Sequence, residues 1–253
     1  MDKQYTTDAI NIKSYPLNDF DNILLMYSKS SGLIKCIAKG AKKPKSKLGA
    51  RAQVLFANKL LLNKGKTFDK ITQAQGLNTF SKLREDFDKL SYGLYCADFI
   101  SIFCTDTGGE AEKIYNIFYK TLENIANSKD KKEILLRVLK FQLHILEELG
   151  WGIEFGVCSC CGAQIEEYSY FSSEEKENFC AYCTKGNVRV QKIPKKLIDF
   201  LDAQKNTAID QNTKYDKIAD LNTVNICFQF IKKYSEKISG KVQKFSDFNL
   251  IAS

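Results

Sequence analysis

The hydrophobic period of this chain changes near residue 78, and that change limits the folds open to it. Before it, five short segments rich in β-branched and aromatic residues are separated by turn signals such as Ser30-Ser31-Gly32 and Asn63-Lys64-Gly65. Five strands at about ten-residue spacing favour a small barrel, because closure removes exposed strand edges. We predict an OB-type barrel over residues 1–78. Spacing alone leaves a small sandwich open as the alternative.

Beyond Gly76 the apolar residues recur at the spacing of helices instead. Three helices are predicted before Gly150, the third with Asp130 as its N-cap. A further helix follows Pro194, and a last one over about 223–239 ends at Gly240. The predicted fold class is therefore α+β, with an N-terminal OB-fold barrel and an all-α domain over residues 79–253.

Four cysteines in the C-terminal part form two C-x-x-C pairs. The pairs are Cys158 with Cys161 and Cys180 with Cys183, in the pattern C-x2-C-x18-C-x2-C. Two tight turns of this kind can supply four thiolates to one tetrahedral ion, and the spacing is typical of zinc. We predict one structural Zn²⁺ in an insertion over about 156–190. The alternative is two reduced pairs without a metal, and Cys160 is expected to be a bystander.

A catalytic role for this metal is disfavoured by the residues around it. A catalytic zinc keeps an open coordination position, whereas four thiolates close the shell. The one histidine, His144, is followed by Ile145 and Leu146, and no proline precedes either cysteine pair, so the deaminase signature fails. No phosphate-binding loop or nucleophile elbow is present either. We expect a protein that is not an enzyme, with a zinc hydrolase or deaminase as the reading to be tested.

The positive charge of the chain is concentrated in one segment. The net charge is +8, yet residues 22–68 hold eleven basic residues and no acidic one, so the rest sums to −3. Such an asymmetry is typical of proteins that bind a polyanion. Its densest part, KGAKKPKSKLGAR, lies between the third and fourth predicted strands, where a loop would overhang the groove in which OB folds bind single strands. The residues predicted to contact the phosphates of a nucleic acid are Lys39, Lys42, Lys43, Lys45, Lys47 and Arg51.

A solvated loop without a binding role is the alternative for this segment. Aromatic residues that could stack on bases in the same barrel are Tyr27, Phe56 and Phe68, although such residues are more often part of a core than a stacking surface. No apolar run approaches the length of a membrane span, and the N-terminus lacks the apolar core of a signal peptide. With clustered cysteines that suggest metal before disulfide, we expect a cytoplasmic protein that does not enter a membrane.

The stretch LIKCIAKGAKKPKSKLGARAQVLFANKLLLNKGKTFDKITQAQ resembles the N-terminal region of the bacterial recombination mediator RecO family. The run FGVCSCCG…CAYC after an LGW helix end is similar to the zinc knuckle of that family's C-terminal domain, and FIKKYSEKISGKVQKFSDF to its last helix. The resemblance spans almost the whole chain. Two departures are lysines at several positions that are commonly arginine, and Gln243 within the last basic segment.

This resemblance implies an OB fold, a helical domain and no enzymatic turnover. It implies binding of single- and double-stranded DNA, annealing of complementary strands, and action with RecR to load RecA onto DNA coated by single-strand-binding protein. Docking of that protein's C-terminal tail is implied too, in a pocket that no residue here identifies. The location implied is bacterial cytoplasm in association with the nucleoid, and a monomer is expected for the chain alone.

A second function remains open at this point. The cysteine region could be a zinc-ribbon module for transcription or RNA handling that itself contacts nucleic acid. Five glutamates against one lysine, Lys176, between Cys158 and Cys183 argue against nucleic acid there. The five are Glu166, Glu167, Glu174, Glu175 and Glu177.

Overall fold

The structure is a computed structural model of the 253-residue chain and describes residues 4–105, 108–172, 174–184 and 190–241. Gly186, a turn-favouring residue that follows the second cysteine pair in the sequence, and the segment around Gln243 lie outside these ranges. The described residues form two compact units, which divide after Asn127.

The first unit begins with a closed five-stranded barrel in the order β1-β2-β3-β5-β4. β1 pairs antiparallel with both β2 and β4, and β3 pairs in parallel with β5. Every strand thus has two neighbours, which removes sheet edges as expected. This arrangement confirms the predicted OB-type barrel. The strands are β1 (Gln4–Pro16), β2 (Asn22–Ser28), β3 (Gly32–Ala38), β4 (Ala57–Asn63) and β5 (Asp69–Asn78).

Alternate residues of these strands fill the barrel interior, including Leu24, Met26 and Leu60. The connection between β3 and β4 also contributes to this core through Ala41 and Ala52. A short helix, α1 (Lys47–Arg51), lies between these two alanines in sequence. The basic stretch is therefore anchored into the barrel near both of its ends.

Strands give way to helices at Asn78, where the change of period predicted it. A 3-10 turn over Ser81–Glu85 leads into α2 (Phe87–Phe103), whose N-cap Asp86 accepts a hydrogen bond from the Lys89 N–H. α3 (Ala111–Asn127) follows. Both helices pack against the barrel, so the compact unit extends past the strands. The division into domains 1–78 and 79–253 stays a prediction.

The second unit is built around α4 (Lys131–Glu148), with Asp130 as its N-cap as predicted. The described residues of this unit form three more helices, namely α5 (Lys195–Lys205), α6 (Tyr215–Ile218) and α7 (Leu221–Ser239). Gly240 follows α7 at a φ of 64°, the left-handed conformation that commonly ends a helix. A three-stranded antiparallel sheet, which the period analysis did not identify, consists of β6 (Tyr168–Ser172), β7 (Glu177–Phe179) and β8 (Val190–Pro194).

Polar residues on α4 fasten the segment that joins α5 to α7. Lys140 is only 1% exposed, and its ammonium donates to the carbonyls of Ala208 and Gln211 at 3.3 and 2.5 Å. His144 Nε2 lies 3.0 Å from the Thr207 carbonyl oxygen. His144 thus has the structural role expected of an ordinary helix residue. Among the helices described, none is both long and apolar enough to cross a membrane.

Candidate nucleic-acid interface and metal centre

The structure brings together the four predicted cysteine ligands. The sulfur atoms of Cys158, Cys161, Cys180 and Cys183 all lie within 4.8 Å of one another, and those of Cys161 and Cys180 are 3.8 Å apart. A tetrahedral shell with metal–sulfur bonds of about 2.3 Å places its sulfurs roughly 3.8 Å apart. The four thiols therefore have the size and composition needed to hold one metal ion.

Two tight turns create this geometry from the C-x-x-C spacing. In the first, the Gly162 N–H donates to the Cys158 carbonyl at 2.9 Å, and Gly162 has a φ of 71° that suits glycine. In the second, the N–H groups of Cys183 and Thr184 both donate to the Cys180 carbonyl. The Ser159 N–H donates to the carbonyl of Asn178 in β7 and so fixes one turn against the small sheet.

The polypeptide around Cys158 favours a thiolate. Burial of this side chain acts to raise its pKa, but hydrogen bonds from the backbone N–H groups of Cys180, Cys161 and Cys160 outweigh burial and lower the pKa to about 6. Turned-in backbone N–H groups of this kind stabilise negative charge on sulfur. A metal ligand must be deprotonated, so this environment suits coordination.

The remaining cysteines have no place in this cluster. Cys160 is exposed and lies outside the group of four, as predicted for a bystander. The other four are buried, and desolvation raises the pKa of each thiol. The pKa rises to about 12 for Cys36, Cys104 and Cys227. All four are small core residues, as expected, and are Cys36, Cys96, Cys104 and Cys227.

The surface near the metal centre is acidic. All five glutamates of this region are exposed, and Glu166 and Glu167 line a cavity together with Tyr168 and Tyr182. Lys176 lies 4.8 Å from the centre of the Trp151 ring. Exposed carboxylates repel phosphates, which argues against nucleic-acid binding by this part of the second unit.

The basic stretch of the first unit is exposed to solvent. Lys39, Lys42, Lys43, Lys45 and Lys47 are all exposed. Within the described ranges, none of these five forms an ion pair with a carboxylate. Their charges are consequently available to an external anion.

The turn between β1 and β2 is fastened to the beginning of this stretch. The Lys42 N–H donates to the Phe20 carbonyl at 3.0 Å, and the Lys42 ammonium donates to the Asn18 carbonyl at 2.8 Å. The Gly40 N–H donates to Asp21 Oδ1 at 2.7 Å. Gly40 has a φ of 67°, which a side chain would oppose. These bonds define the path of the chain as it leaves β3.

Arg51 differs from the five lysines. It ends α1, it is half-buried, and its guanidinium lies so close over Gly76 of β5 that a Cβ at this glycine would collide with it. Its carbonyl accepts hydrogen bonds from the side-chain amides of Asn11 and Asn58 at 2.7 and 3.1 Å. Arg51 thus fastens the end of the basic stretch to the barrel, which no charge pattern in the sequence indicates.

The aromatic residues that sequence analysis singled out differ in their exposure. Tyr27 is fully buried, so the stacking role is wrong for this residue. Phe56 is half-buried with the Arg84 guanidinium 4.7 Å from its ring centre, and Phe68 is half-buried. A residue that the sequence analysis missed, Phe20, is 57% exposed beside Lys43. Phe20 differs from the other three aromatic residues in its exposure, which the sequence alone does not predict.

Two family models match the chain. The model described as "Recombination protein O N terminal" matches residues 1–80, and "Recombination protein O C terminal" matches residues 84–237. They cover the barrel and the helical region in turn.

Curated relatives named "DNA repair protein RecO" match as well. The protein of Clostridium novyi is 29% identical over 181 residues, which cover 72% of this chain and 70% of the relative. That of Trichodesmium erythraeum is 28% identical over 223 residues, 84% of this chain and 77% of the relative. That of a Nostoc species is 34% identical over 157 residues, but this match covers 62% of this chain and only 46% of the relative. With both family models matched in order and the barrel in place, the chain belongs to the RecO family.

Proposed function

We propose that this protein is a DNA-binding recombination mediator in DNA repair. It binds single- and double-stranded DNA, promotes annealing of complementary strands, and acts with RecR to load RecA onto DNA coated by single-strand-binding protein. Membership of the RecO family and the names of the relatives support this role. In this proposal the protein acts by binding, without catalytic turnover.

The observation that carries the proposal is the exposed, acid-free basic stretch of residues 39–51 beside the barrel. Closely spaced phosphates attract such a stretch because each neutralised phosphate releases condensed counterions. Lysine suits contacts that ignore sequence, since its ammonium acts as a point charge without a fixed geometry. By neutralising two strands that repel each other, this surface would hold them close enough for their bases to pair.

The metal in this proposal is Zn²⁺ with a structural role. Four thiolates leave no position open for water, and the only histidine of the sequence, His144, contacts the Thr207 carbonyl and is not part of the cluster. The ion would hold together two turns and a small sheet that bury few apolar side chains of their own. Cobalt substitution tests this reading, because a spectrum with fewer than four thiolates would revive the hydrolase or deaminase alternative.

The partners are RecR and the C-terminal tail of single-strand-binding protein, and the setting is the bacterial cytoplasm at the nucleoid. Annealing of complementary oligonucleotides coated with single-strand-binding protein tests the mediator role. We expect the chain to accelerate annealing, and a variant with Lys42→Glu, Lys43→Glu and Lys45→Glu to lose this activity while it still unfolds in a cooperative thermal transition. Normal DNA binding by a folded charge-reversed variant would refute the proposed interface.

A zinc-ribbon module that binds nucleic acid through the cysteine region is the second candidate. The exposed glutamates around the cluster argue against it. In that case removal of the metal would abolish nucleic-acid binding, whereas the charge-reversed variant would keep it. DNA-binding measurements on the metal-free protein and on the charge-reversed variant therefore separate the two candidates.

A further inference from the structure

An exposed phenylalanine stands beside the basic stretch in the first unit. Phe20 lies in the turn between β1 and β2 and exposes 57% of its surface. The Lys43 ammonium lies 5.5 Å from the centre of its ring. Its exposed ring lies next to the lysines, within reach of a ligand that they bind.

The turn that carries Phe20 is held in one shape by its own hydrogen bonds. Asn18 Oδ1 accepts from the N–H groups of Phe20 and Asp21 at 2.9 and 2.8 Å, and the Leu17 N–H donates to the Asp21 carbonyl at 3.0 Å. Three further bonds, from Gly40 and Lys42, join this turn to the basic stretch. Phe20 therefore does not need to be ordered when a ligand arrives, which lowers the entropic cost of binding.

A cavity of about 410 Å³ lies at this junction, lined by Asn18, Asp19, Phe20, Asp21, Lys39, Gly40 and Lys43. Two lysines and two aspartates in its wall cancel in formal charge. Hydrogen bonds from the Gly40 N–H and the Asn18 amide lower the pKa of Asp21, so its carboxylate stays charged. A cavity that is neutral on balance suits an uncharged planar group better than a phosphate.

We propose that Phe20 is the stacking platform for one unpaired nucleobase, with the flanking phosphates on the lysines of the basic stretch. This inference rests on the proposed DNA-binding function and adds to it a preference for single strands. Both faces of a base in a duplex are covered by its neighbours, so only an unpaired base can offer one to the ring.

Affinity measurements on Phe20→Ala test this preference. We expect Phe20→Ala to bind a single-stranded oligonucleotide about 10-fold more weakly, because the stacking of one base on one aromatic residue contributes about that much affinity. Binding to a duplex of the same length should change less than about 2-fold, because the phosphate contacts remain. The control is Phe87→Ala, which removes a phenylalanine that is 68% exposed at the start of α2 and outside the cavity. Equal losses for both DNA forms, or no loss for either, would overturn the stacking role.

A fluorescence measurement tests the stacking role with a second readout. The chain has one tryptophan, so Phe20→Trp combined with Trp151→Phe creates a single reporter in the cavity. Stacking predicts strong quenching of this reporter by oligo(dT) and little quenching by duplex, while equal quenching contradicts it.

The proposed DNA interface and the proposed stacking role of Phe20 are refuted by different results. If the charge-reversed variant loses DNA while Phe20→Ala binds normally, the stacking role is wrong and the basic interface stands. If the charge-reversed variant still binds DNA, the interface itself is wrong.

Discussion

Removal of two lysines should change the salt dependence of DNA binding by a calculable amount. The side chains of Lys45 and Lys47 are exposed, and neither forms an ion pair with a carboxylate in the described part of the chain. Unlike Lys42, they do not hold the turn between β1 and β2. A Lys45→Ala/Lys47→Ala variant should therefore lose charge without losing structure.

The size of the effect follows from counterion release. Each phosphate contact on single-stranded DNA contributes about 0.7 to the slope of log affinity against log salt. Six contacts give a slope of about −4, and the loss of two moves it to about −3. At 0.1 M salt each contact is worth about 5-fold in affinity, so the variant should bind about 25-fold more weakly.

Fluorescence anisotropy of a labelled oligonucleotide across a series of salt concentrations measures both quantities. The matched control is Lys113→Ala/Lys120→Ala, which removes the same charge from α3. These two lysines already pair with Glu110 and Glu123 at 2.8 and 3.1 Å, so they have less charge to offer a phosphate. An unchanged slope for the first variant, or an equal change for the control, would refute the assignment of phosphate contacts to residues 39–51.

Three further predictions concern the second unit. Cys180→Ser should lower the thermal unfolding midpoint of this unit, since metal-binding free energy on the order of 10 kcal/mol is coupled to folding. Calorimetry with and without chelator measures this midpoint, and an unchanged value would show that the metal is absent or does not stabilise the fold. Lys140→Ala should destabilise by about 2–4 kcal/mol in urea unfolding, because two carbonyls lose their buried donor; a cost below about 1 kcal/mol would contradict the fastening role. Burial lowers the pKa of His144 in the folded chain, so the unfolded chain binds the proton more readily as the pH falls. The contribution of this group to stability is therefore complete above about pH 6.5 and is lost as the pH drops below this value. His144→Gln should flatten this part of the stability profile, and an identical profile in the variant would show that another group titrates.

The sequence predicts those features that depend on short-range chemistry. Alternation of apolar residues identifies the five strands, and period 3.6 with Asp130 and Gly240 as terminators identifies α4 and α7. The spacing of the cysteines identifies the whole cluster, because each C-x-x-C turn already places two sulfur atoms side by side and a single contact between the two turns completes the group of four. The small sheet was missed because β6, β7 and β8 are only three to five residues long, too short for a period to be recognised.

Features that depend on long-range contacts could not be predicted. Arg51 looks like the lysines before it, yet Gly76, which is distant in sequence, leaves room for its guanidinium on the barrel. Tyr27 and Phe20 are both aromatic residues near turns, but β2 directs the first into the core while the Asn18 turn holds the second in solvent. Burial of an individual side chain is decided by the closed barrel, which pairs β1 with β4 across some fifty residues.

Chemical footprinting of lysines tests most directly whether the basic stretch contacts DNA. The intact chain would be acetylated with and without single-stranded DNA, and modification at each lysine would be quantified by mass spectrometry. We expect DNA to protect Lys42, Lys45 and Lys47 several-fold and to leave Lys195, which pairs with Asp199 on α5, unchanged. Unchanged acetylation across residues 39–47 at saturating DNA would contradict the proposed interface.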